Sequence, residues 1–183
     1  LIPAGWQAYD MSENNERALA GAATDRLRSA GRGDLAATLT RHVQDAMSSL
    51  RQQKAFCYAL AGEASPTWAI GAASLVGTRR DATPEFPLDA IVQNVIAEYG
   101  GAPLAGDERF VRWTERRTVT IDDEPVATTM INYMTPIPGS RRTQAVHWVV
   151  NVAHAPGLPE DDPTLSAWNL LFDTHVASFT WVK

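Results

Sequence analysis

Glu115 and Arg117 stand two residues apart in an alternating run from Phe110 to Ile121. Side chains two apart on a strand share a face, so this spacing fixes a carboxylate beside a guanidinium. A second run, Val126 to Thr135, follows the turn Asp122-Asp123-Glu124-Pro125 and brings Asn132 to the same face if the two strands pair through it. A carboxylate, a guanidinium and an amide held together on a partly buried sheet can orient a polar ligand. Paired carboxylates for acid-base work need a second Asp or Glu nearby, and the neighbouring strands supply none on that face. The competing reading of Glu115 and Arg117 is a structural ion pair or an exposed pair at a sheet edge. His147, with Arg112, Arg116 and Tyr133, forms a second constellation on the opposite face, where an anion could sit. The ligand-binding candidates are therefore Glu115, Arg117, Asn132 and His147, and no residue is assigned a catalytic role.

Other chemistry is sparse. The four histidines, at 42, 147, 154 and 175, pair with neither each other nor a cysteine at metal-site spacing, so no metal is expected. The one cysteine, Cys57, excludes an intrachain disulfide and reads as a small buried hydrophobe. There is no phosphate-binding glycine loop, no nucleophile elbow and no zincin motif, and no cofactor is expected. A net charge of -5 has the wrong sign for a nucleic-acid binder. The arginine doublets at 79–80, 116–117 and 141–142 read as solvated charge. No apolar stretch is long enough to span a membrane.

The elements that must position these residues follow from apolar period and punctuation. Ser12 caps a helix that runs to Ala30, and Asp34 caps a second with Leu35, Leu39, Val43, Met47 and Leu50 on one stripe to about Gln53. Two strands, 55–62 and 67–77, form a hairpin through Ser65-Pro66. Pro87 opens a helix carrying Leu88, Ile91, Val92, Val95, Ile96 and Tyr99 up to Gly100-Gly101. Strands at 110–121, 126–135 and 143–153 come next. A last helix starts at Asp162-Pro163, with Leu165, Trp168, Phe172 and Val176 on its buried face.

The order α-α-β-β-α-β-β-β-α lacks strand-helix alternation, so the fold class is α+β with one antiparallel sheet of about five to six strands. The length and the absence of a linker predict a single domain, 1–183, comprising a helical hairpin (12–53) and a sheet with its helices (55–183). Simple pairing through the turns puts Val111, Trp113, Val119, Met130, Met134, Val146, Trp148, Val150 and Val152 on one face with Glu115, Arg117 and Asn132. The other face then holds Arg112, Thr129, Tyr133, His147 and Asn151. Of the six tryptophans, Trp113, Trp148 and Trp168 read as core, and Trp6 and Trp181 as exposed anchors.

This order resembles the Mog1/PsbP-like α+β group. The resemblance rests on Tyr133-Met134-Thr135-Pro136-Ile137-Pro138-Gly139 leading to the Trp148 strand, then on Leu170-Leu171-Phe172-Asp173 and Phe179-Thr180-Trp181. The N-terminal helix pair departs from that pattern. The resemblance implies a binding or assembly module, since members include photosystem accessory subunits, Ran-binding factors and actinobacterial cell-envelope proteins, and no catalytic motif transfers. The expected function is a non-catalytic protein-interaction or accessory module, with another protein as partner. The alternative is a small-ligand binder or enzyme built on Glu115 and Arg117. Homo-oligomerisation through a sheet face or edge strand is a further expectation. Fourteen arginines against two lysines fit a GC-rich, actinobacterial-type genome. The cytoplasm is slightly favoured, with a removed leader before Leu1 as the other reading.

Overall fold

The computed structural model describes residues 2–62, 64–65, 73–121 and 124–181. Ser12 caps α1 (Glu13–Ser29) by accepting the Asn15 N–H at 3.3 Å, which meets one of the orphan donors of the first turn. Asp34 does not cap the second helix: it lies in a short 3₁₀ turn, Gly33–Leu35, paired with Arg32, and α2 (Ala36–Gln52) begins beyond it. Pro87 occupies the cap position of α3 (Leu88–Tyr99), which Gly100 ends in the left-handed conformation. Asp162 caps α4 (Pro163–Ala177) by accepting the Thr164 N–H at 2.8 Å.

The strands are β1 (Trp6–Tyr9), β2 (Ala55–Ala61), β3 (Ala73–Asp81), β4 (Ala102–Leu104), β5 (Asp107–Ile121), β6 (Glu124–Pro136) and β7 (Gln144–His154). Among the described residues they form one antiparallel sheet in the order β1-β2-β3-β7-β6-β5-β4. The expected hairpin of β2 and β3 is present, whereas positions 66–72, with Pro66 and Trp68, and turn positions 122–123 lie outside the described residues. Seven strands replace the expected five to six. The two additions are the short edge strands β1 and β4, and β4 contains Pro103, a residue tolerated at a sheet edge because it has no N–H to give.

Both sheet faces are covered. On one, Leu165, Trp168, Phe172 and Val176 of α4 pack on Leu75, Ile131, Tyr133, Trp148, Val150 and Val152. On the other, Leu88 and Val95 of α3 pack on Trp113, Met134 and Ala145, while Leu19, Met47 and Leu50 of the α1–α2 pair face Tyr58 and Val76 across a shared cavity.

The expected grouping of side chains is corrected at β7. Met134 stands opposite His147 and Tyr133 opposite Trp148, so Val146, Trp148, Val150 and Val152 share the α4 face with Tyr133. His147, Val149 and Asn151 join Glu115, Arg117 and Asn132. The loop 137–143 sets this register: Arg141 and Arg142 both take positive φ, 53° and 61°, and the Ile137 N–H closes on the Gln144 carbonyl at 2.9 Å. A one-residue change in pairing moves a whole strand's side chains to the other face. The Val119 side chain lies outside the described set. Trp6 is no exposed anchor, since it packs edge-on against Trp168 and Phe172 with centroids 6.2 and 5.3 Å away. Trp181 is 36% exposed beside Phe179. Cys57 is half-buried, and burial pushes its thiol up from the ordinary range.

Gly77 sits directly opposite Trp148, and the indole lies across its bare backbone. A Cβ there would come within 2.4 Å of Trp148 Cζ3 and 2.9 Å of Phe56 Cζ. Gly77→Ala is therefore expected to destabilise by about 1–3 kcal/mol through overpacking, although alanine is ordinarily the better strand residue. Denaturant melts of the two proteins test this, and an equally stable alanine variant would show that the Trp148 ring does not rest on Gly77.

Candidate functional site

The four residues singled out by spacing come together on the α3 side of the sheet. Glu115 Oε1 accepts the Trp113 indole N–H at 3.0 Å and an Asn132 amide N–H at 3.4 Å, and Glu115 Oε2 accepts from Arg117 at 3.1 Å. Asn132 Oδ1 lies 3.1 Å from His147 Nε2. An amide oxygen only accepts, so Nε2 carries the proton and Nδ1 is left as the acceptor that faces Arg80 at 3.4 Å. The His147 ring stacks on Trp113 at a centroid distance of 5.1 Å. Burial, and then the Arg80 charge, hold the His147 pKa down to about 3, well below the usual 6.5. The imidazole is thus a neutral rung in a polar ladder, Arg117–Glu115–Asn132–His147–Arg80, that crosses three neighbouring strands and reaches a fourth.

The second constellation does not form. His147 faces away from Arg112 and Tyr133, which instead meet α4. The Tyr133 hydroxyl donates to Asp173 Oδ1 at 2.6 Å, Arg112 Nε donates to the same oxygen at 3.1 Å, and Arg112 also donates to Asn169. Burial and the Asp173 carboxylate raise the Tyr133 phenol well above its ordinary value. Arg116 turns to the carbonyl oxygens of Leu158 and Pro159. These groups latch the last helix to the sheet.

A site that spacing does not reveal lies beside the ladder. Leu88, Val92 and Ile96 of α3 form one wall of a cleft of about 200 Å³, and Pro103, Phe110, Val111 and Met134 form its other wall and floor. Its rim carries charge: Arg142 pairs with Asp89 at 2.5 Å, and Arg109 grips Asp107 with contacts of 2.6 and 2.9 Å. Ile96 and, one turn on, Tyr99 remain 51% and 48% exposed. The signal was present in α3, whose apolar residues at 88, 91, 92, 95, 96 and 99 span more of the circumference than one packed face needs.

No family model matches this chain, and neither does any curated protein or solved structure.

Proposed function

We propose that this chain is a non-catalytic protein-interaction module of Mog1/PsbP-like arrangement, and that the cleft between α3 and β4–β5 takes an apolar anchor side chain of a partner protein. The observation that carries this reading is the size and lining of the cleft. At about 200 Å³ it falls below the roughly 300–1,000 Å³ of small-molecule sites, and it suits one aromatic or branched side chain. Interfaces concentrate their energy in such anchors, ringed by contacts that exclude water. Exposed Ile96 and Tyr99 extend the apolar surface along the helix, and the Arg142–Asp89 pair supplies a polar rim. The α+β class with one antiparallel sheet, expected from the resemblance to accessory modules, supports this reading.

The alternative, a small ligand or a reaction centred on Glu115 and Arg117, has less behind it. Glu115, Asn132 and His147 direct their hydrogen bonds to one another, to Trp113, Arg117 and Arg80, and to the Met130 carbonyl.

Selection of a random peptide library on the protein tests the proposal. Enriched peptides should share one large apolar residue, and Val92→Arg, which fills the cleft with a charge, should weaken them at least about tenfold without lowering thermal stability by more than a few degrees. Peptides that bind the variant as tightly would place the interaction elsewhere.

A further inference from the structure

We propose that the open edge of β5 pairs with the same edge of a second copy of this chain, antiparallel about a two-fold axis with residue 116 opposite itself. β4 pairs with β5 only as far as Arg112. From 113 to 121, β5 is paired with β6 on its inner side, and among the described residues no strand and no loop backbone hydrogen bond reaches its outer side. An unpaired edge of this length is a template for another strand unless its side chains reject one. Charge is the usual means of rejection, and here Glu115, Arg116 and Arg117 supply it.

Two of these charges, Glu115 and Arg117, are complementary to themselves in one register. A two-fold axis normal to the sheet keeps equivalent faces together and sets residues whose numbers sum to a constant opposite one another. With 116 on the axis, Glu115 of each copy faces Arg117 of the other, giving two cross-strand ion pairs on one face. The paired stretch is then 113–119 on both chains, which ends where β4 begins. Sliding by two residues in either direction brings Arg117 opposite Arg117 or Glu115 opposite Glu115, and like charges directly opposite are unfavourable. Arg116 meets its copy on the other face, where its guanidinium already donates to Leu158 and Pro159 and Glu160 lines the same recess. Arg117 is 64% exposed, and its guanidinium, which donates to its own Glu115 at 3.1 Å, exchanges that carboxylate for Glu115 of the other copy.

Sedimentation equilibrium on the whole chain, from about 10 µM to about 1 mM, suits an interface at the small end of the specific range. The wild type is expected to shift from monomer to dimer. Arg117→Glu should raise the dissociation constant at least about tenfold, because the carboxylate introduced at position 117 then faces Glu115 of the other copy. Glu115→Arg should do the same, and an equimolar mixture of the two variants should associate as a heterodimer, since every cross-strand pair is again of opposite sign. Circular dichroism establishes that each variant is folded. Should Glu115→Arg fail that check through loss of its Trp113 and Asn132 partners, Arg117→Glu alone decides. A wild type that stays monomeric throughout, or an Arg117→Glu protein that associates as well as the wild type, overturns the proposal.

Discussion

Phe172→Ala is expected to cost about 3–5 kcal/mol and to lower the melting temperature by roughly 10 °C. Phe172 is fully buried, stacks on Trp168 at a centroid distance of 5.9 Å and meets the edge of Trp6 at 5.3 Å. The first strand and the last helix, far apart in sequence, therefore close on one ring within the core on the sheet. Truncation to a methyl group removes the transfer energy of the benzyl group and leaves a hole whose rigid aromatic neighbours cannot fully collapse. Calorimetry and denaturant midpoints measure the loss, and one below about 1 kcal/mol would mean that α4 does not roof this face.

Acid should destabilise this protein more steeply than its carboxylates alone explain. The unfolded chain takes up a proton at His147 near pH 6.5, whereas the native ring resists it until about pH 3. Between those limits the unfolded state holds one more proton, so the contribution is fully present above pH 6.5 and is lost as pH falls towards 3. The slope is about 1.4 kcal/mol per pH unit, or on the order of 3 kcal/mol between pH 6.5 and pH 4. His147→Gln keeps a neutral donor and acceptor between Asn132 and Arg80 but cannot titrate. From pH 7 to pH 4 the wild type should lose about 3 kcal/mol more than the variant. Parallel curves, or a His147 ring resonance that titrates near 6.5, would contradict the buried ladder.

Much of this architecture was legible because local rules agreed with the global fold. Ser12, Gly100 and the Asp162-Pro163 pair mark helix ends that the structure keeps. Trp113, Trp148 and Trp168 are core as their strand and helix periods require. Illegible were features that depend on partners distant in sequence. β1 and β4 have four and three residues, too few to show a period, and only the sheet edge they meet makes them strands. The β7 register depends on Arg141 and Arg142 adopting left-handed backbone conformations, which arginine rarely does and which no turn signature announces. That single register places His147 beside Asn132 and removes it from Arg112 and Tyr133. The cleft beside α3 was hidden for another reason: apolar residues on α3 read as core until the sheet shows how few it can cover.

Methyl-resolved NMR titration with the tightest peptide from the library tests the proposed docking of a partner side chain in the α3 cleft. Shifts are expected to concentrate at the methyl groups of Leu88, Val92, Ile96, Val111 and Met134, with intermolecular contacts from one apolar peptide side chain to Val92. Shifts centred on α1–α2 or α4, with those five methyl groups unmoved, would contradict it.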